Sequence, residues 1–139
     1  MSKQESKRAR PKARRSDYRF FTQVPTRWGD ADALGHINNA LFVRYVESGR
    51  VDYFHRICEM NLSPGEPQGL VMANFEIAFV HQVHHPAALE VASRVSRLGN
   101  SSFDVECSIF MPDDEDPVIF SKAICVWFDF EKNCSRSIP

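Results

Sequence analysis

At 139 residues, with 43% hydrophobic residues, 25% charged residues and a net charge of −1, the chain has the size and make-up of a single globular domain. No apolar run reaches the roughly eighteen residues of a membrane span, and the N-terminus lacks the apolar stretch of a secretory signal. A cytoplasmic protein is therefore expected, with Cys58, Cys107, Cys125 and Cys134 reduced and serving mainly as packing residues.

The near-neutral total hides an asymmetry. Lys3, Lys7, Arg8, Arg10, Lys12, Arg14 and Arg15 face only Glu5 over residues 1–15, a charge of +6, while the rest of the chain carries −7. So polar a segment has nothing to bury, and residues 1–16 are expected to form a disordered basic arm ahead of one domain over 17–139. A nucleic-acid-binding or targeting role for the arm is open, but a solvated tail is the simpler reading, and no nucleic-acid partner is expected.

A strand is expected over 18–26, where aromatic and β-branched residues concentrate. After a polar loop, Phe42, Val46, Gly49, Tyr53 and Ile57 recur at three- and four-residue steps, which predicts a helix over about 39–57 capped by Asn38 or Asn39. Gly49 costs helix propensity in mid-helix, and close packing against a sheet is the physical reason to tolerate it. From Leu70 the period becomes two, with Val71, Ala73, Phe75, Ile77 and Phe79 on one side. Strands over about 87–98, 103–111 and 118–130 follow, separated by Gly99-Asn100 and by the acidic turn 112–116. One strand, a long helix and four successive antiparallel strands make an α+β pattern in which the sheet wraps the helix.

Chemistry concentrates between the first strand and the helix. Asp30, Asp32, His36, Asn38 and Asn39 precede a helix N-terminus, where unpaired N–H groups and a partial positive charge can hold an oxyanion. A carboxylate beside those donors can attack a carbonyl or activate water. Thioesters suit so sparse a set, because a thiolate with a pKa of about 8.5 leaves with little acid help. The spacing fits a simple capping turn equally well.

The run Thr26-Arg27-Trp28-Gly29-Asp30-Ala31-Asp32-Ala33-Leu34-Gly35-His36-Ile37-Asn38-Asn39, continued by Phe42, Tyr45, Glu47 and Arg50, resembles the signature of the 4-hydroxybenzoyl-CoA thioesterase-like hotdog enzymes. His85-Pro86 and the stretch from Arg97 to Phe103 extend the likeness over about 18–139. The resemblance implies a hotdog fold, a curved antiparallel sheet around one long central helix. It also implies an acyl-CoA thioesterase, with coenzyme A as part of the substrate and no separate cofactor. Asp32 falls on the family's catalytic carboxylate, nucleophile or general base. The backbone N–H of Asn39 falls on its oxyanion donor, and His36 falls nearby in a secondary role. Arg97, Ser101 and Ser102 fall where coenzyme phosphates are often met. A homodimer or homotetramer, with the site at the subunit interface, is implied as well.

Other residues carry less. Glu76 could join the site but fits an ordinary exposed carboxylate better, and His81, His84 and His85 lack the partners of a metal site, so no metal is expected. Trp28 fits an acyl-pocket wall and buried packing equally. An enoyl-CoA hydratase would need histidine five residues after its aspartate. Asp32 and Asp30 stand four and six before His36. A catalytically silent acyl-binding or partner-binding module is the main alternative.

Overall fold

In the computed structural model, which describes residues 13–139, each apolar period becomes an element. Strand β1 (Phe20–Pro25) leads through the polar loop to helix α1 (Asn39–Arg56), followed by β2 (Gln68–Phe79), β3 (Ala88–Leu98), β4 (Ser102–Phe110), β5 (Ile119–Asp129) and the short β6 (Cys134–Ser135). Every pairing is antiparallel, in the order β1-β3-β4-β5-β2, with β6 on β5. The chain therefore carries β2 across to the far edge of the sheet from β1, and α1 lies over the face between them. This is the hotdog arrangement expected from the sequence.

The core lies between helix and sheet. Phe42, Tyr45, Val46, Tyr53 and Phe54 of α1 meet Leu89 and Val91 of β3, Phe103, Val105, Cys107 and Ile109 of β4, and Ile119, Ala123 and Cys125 of β5. Two-residue alternation delivers the β4 set to one face, as the sequence predicts. In β2 it does not hold throughout. A bulge between Met72 and Asn74 shifts the parity, so Leu70 before it and Phe75 and Ile77 after it face the core, while Ala73 is exposed. None of the helices among the described residues is long and apolar enough to cross a membrane.

The expected arm of residues 1–16 needs correction at its C-terminal end; residues 1–12 lie outside the described residues. Ala13 is 1% exposed and joins Tyr18, Ala92, Phe110 and Phe120 in a second cluster on the opposite face of the sheet. Arg15 donates to the Asp114 carbonyl at 2.6 Å, the Met111 carbonyl at 2.8 Å and Glu90 at 3.1 Å, with its guanidinium over the Phe110 and Phe21 rings. Positive charge alone marks this residue as tail in the sequence, yet its carbonyl partners are nearly a hundred positions away. Cutting after residue 12 should leave thermal stability unchanged. Cutting after residue 15 removes about 2–3 kcal/mol of charge-assisted bonding and should lower the melting temperature by about 5–10 °C, readable by differential scanning fluorimetry of the two truncations.

Candidate active site

The loop before α1 is built around two aspartates with opposite surroundings. Asp30 is 5% exposed. Its carboxylate accepts from the Tyr45 hydroxyl and from the Arg27 side chain at 3.2 and 3.3 Å, and its backbone carbonyl accepts from Asn38 N–H at 3.1 Å. The Tyr45 hydrogen bond, with Arg27 beside it, holds the Asp30 carboxyl below the usual carboxylate range against the opposing effect of burial. Burial and Asp30 together push the Tyr45 phenol up. Asp30 thus ties the loop to the helix and is closed to a substrate.

Asp32 is exposed. Its Oδ1 accepts from Leu34 N–H at 2.9 Å and His36 N–H at 3.0 Å, while its own N–H donates to the His36 carbonyl at 2.8 Å. Gly35 closes this turn at φ +81°, a conformation glycine adopts without strain. One carboxylate oxygen therefore fixes the turn, and Oδ2 has no partner among the described residues. Asp32 lines both a cleft of about 510 Å³, shared with His36, Asn38, Asn39, Phe42 and Phe79, and a second of about 670 Å³ walled by Trp28, Ala33 and His85.

Asn38 caps α1, its Oδ1 accepting from Ala40 N–H at 3.0 Å and its carbonyl from Leu41 N–H at 2.9 Å. The Asn39 N–H between them has no acceptor among the described residues. It sits at the positive end of an eighteen-residue helix, in the same cleft as Asp32. His36 packs edge-on against His84, ring centroids 4.3 Å apart, and the two residues form an isolated antiparallel bridge. His85 is bonded through Nδ1 to the Thr26 hydroxyl at 2.8 Å.

Asp32, His36 and Asn39 thus come together as expected, whereas Arg97, Ser101 and Ser102 do not join them. The site lies at the Ala88 end of β3, where Thr26 N–H donates to the Ala87 carbonyl. The turn after Leu98 is eleven residues along the strand, or roughly 35 Å. There Arg97 is already engaged with Asp104 at 2.9 Å and with Ser102 Oγ at 3.1 Å, and Ser101 lines a polar cleft of about 550 Å³ with Gln68, Asn100 and Arg136. Glu76 is exposed on β2 opposite Lys122, away from the cleft. Trp28 is 85% exposed, which excludes buried packing. Phe79, His81 and Gln82, from the end of β2 and the loop after it, complete the Asp32 cleft. Sequence reading assigned Phe79 only to the core side of a strand and weighed His81 only as a metal ligand. The available signal was that 45% of Phe79 remains exposed once the strand ends at the site.

Comparison with known proteins agrees with this geometry. The model of the Thioesterase-like superfamily matches residues 26–139. The PA2801 protein of Pseudomonas aeruginosa, a candidate thioesterase, superposes with a TM-score of 0.78 at 31% identity, over 86% of this chain and 91% of that one. A thioesterase of Thermus thermophilus complexed with coenzyme A and Zn gives 0.71 at 26% identity, over 88% and 92% of the two chains. The chain spans about half the length of the curated relatives it matches. One is the chloroplastic acyl-acyl carrier protein thioesterase ATL3 of Arabidopsis thaliana, 24% identical over 103 residues, 72% of this chain and 53% of that protein.

Proposed function

The chain belongs to the Thioesterase-like superfamily, and from that membership we propose that it hydrolyses an acyl-CoA to the free acid and coenzyme A, in the manner of the 4-hydroxybenzoyl-CoA thioesterase-like enzymes. The observation that carries this reading is the pairing, in one cleft, of the uncommitted Oδ2 of Asp32 with the unaccepted N–H of Asn39. The thioester carbonyl oxygen sits on the Asn39 N–H at the positive helix end, which stabilises the negative charge that develops there. Asp32 Oδ2 attacks the carbonyl carbon, or takes the proton of an attacking water. The C–S bond then breaks and the thiolate departs unassisted. His36, held against His84, flanks the acyl group and orients it.

The substrate's coenzyme end needs a surface that one chain does not place near Asp32. Strand β2 is a sheet edge twelve residues long, and an uncovered edge of that length invites pairing. Antiparallel pairing with the β2 of a second copy sets the Gln68 end of one strand beside the Phe79 end of the other. The polar cleft of Gln68, Ser101 and Arg136 in one subunit then approaches the Asp32 cleft of its neighbour, with Arg97 and Ser102 on the same turn. A homodimer, alone or within a tetramer, is therefore part of the proposal.

Purified protein should release thiol from at least one member of a panel of acyl-CoAs and acyl carrier protein thioesters, read with a thiol-reactive dye. Turnover of carrier-protein thioesters alone would replace coenzyme A as the carrier. Saturable binding of an acyl-CoA without any thiol release would mean a silent acyl-binding module and would sink the hydrolase reading.

A further inference from the structure

Arg50 is the one core position of α1 whose chemistry the fold leaves unfinished. It is 7% exposed, beside the Phe75 ring at 5.8 Å from guanidinium carbon to centroid. It lies close enough to Cys107 and Cys125 to oppose the burial that pushes those thiols up. No carboxylate, carbonyl or hydroxyl among the described residues accepts from it. A covered guanidinium with five N–H donors and no acceptor is costly, and proteins pair such groups.

The helix shows where the acceptor comes from. Asp52 bonds Thr22 and Arg56 stacks over Phe20, so that flank of α1 faces β1. Phe42 stacks on Phe79 and Arg50 on Phe75, so the other flank faces β2, the edge of the sheet. Turned outward on this second flank are Val43 and Val51, each 39% exposed, with Glu47 between them one turn before Arg50. Glu47 also has no ion-pair partner among the described residues. One continuous surface thus holds an unpaired strand edge, two exposed valines, an unpaired carboxylate and an unpaired buried guanidinium. A small anion would neutralise Arg50 but leave Glu47, the valines and the β2 edge uncovered.

We propose that this surface is covered by a second copy of the chain, with Glu47 of each α1 paired to Arg50 of the other. A two-fold interface must be self-complementary, and two antiparallel copies of a helix carrying Glu47 and Arg50 one turn apart form two such pairs reciprocally. The pairing deepens the two-copy assembly proposed above and rests on it. It gives that assembly a register that apolar contact alone would leave loose. It also places the interface on the helix that carries Asn39, three turns from Arg50, so assembly and oxyanion donor share one rigid element.

Sedimentation of the full-length protein tests this with Glu47→Arg, Arg50→Glu and the double exchange, each checked for folding by circular dichroism. The wild type should be dimeric at micromolar concentration. Each single exchange should raise the dissociation constant by at least about 100-fold, and the double exchange should restore it to within about tenfold, since truncating or reversing one member of a buried interface pair is costly. Glu47 is exposed, so Glu47→Arg should fold even where Arg50→Glu, with its buried carboxylate, does not. A folded Glu47→Arg protein as dimeric as wild type overturns the pairing and leaves the assembly standing. A wild-type monomer overturns both.

Discussion

Asp32→Asn is expected to lower turnover by roughly a thousandfold in a protein that still folds and still binds its acyl thioester. The structural task of Asp32 needs only an acceptor, since Oδ1 takes the Leu34 and His36 N–H groups, and an amide oxygen can do the same. The chemical task needs the negative charge on Oδ2, for attack or for activating water, and the amide removes it. Loss of rate without loss of binding is the pattern of an interaction made only in the transition state. Asp30→Asn should behave in the opposite way. Its two oxygens are divided between Tyr45 and Arg27 inside the loop, so the amide must present an NH₂ to one of two donors. About 2 kcal/mol of stability and about 5–10 °C of melting temperature should go, with a smaller fall in rate. Rates, binding of a non-hydrolysable acyl-CoA analogue and melting curves for both variants decide the matter. Should Asp30→Asn be stable and inactive while Asp32→Asn keeps its activity, the catalytic carboxylate has been assigned to the wrong residue.

The contrast between these aspartates marks the limit of what can be read without coordinates. The motif places both carboxylates ahead of a helix, but spacing alone does not say which is enclosed. That follows from Tyr45, fifteen residues later, whose hydroxyl reaches back to Asp30 because the helix packs its aromatic face over the loop. The helix and the five long strands are legible because apolar periods of 3.6 and 2 reflect burial directly. The parity of β2 is not, since a bulge leaves no mark in the alternation it interrupts. The role of residues 13–18 is hidden for a different reason: Ala13 and Tyr18 are isolated apolar residues in a basic stretch, and only strands far along the chain give them something to bury against. Arg97, Ser101 and Ser102 show the hardest case. They sit in a recognisable turn, but which end of the sheet a turn occupies, and whether a second copy brings it back to the site, is a property of topology.

Gly49→Ala should destabilise the protein, although alanine is the better helix former by about 1 kcal/mol. A Cβ added at Gly49 would lie 2.7 Å from Val91 Cβ, an atom fixed to the β3 backbone and fully buried. A flexible side-chain tip could swing away, but a β-branched stem cannot, so the helix itself must move off the sheet. Overpacking of this kind costs about 1–3 kcal/mol or more, and the direct clash with a strand puts Gly49→Ala at the upper end, about 2 kcal/mol net. Val91→Ala opens a cavity and is destabilising alone, yet it removes the two methyls nearest the new Cβ. The double variant should therefore be more stable than the sum of the singles by about 1–2 kcal/mol in urea melts. Activity should follow helix position more than global stability, because α1 carries the Asn39 N–H at its start while Asp32 stays on the loop. A shift of the helix moves one reactive group relative to the other, and Gly49→Ala should lose rate even at temperatures where it is fully folded, with Val91→Ala restoring part of it. Equal or greater stability of Gly49→Ala relative to wild type would show that the helix lies farther from β3 than this contact requires, and the loss of rate would then have no cause in their packing.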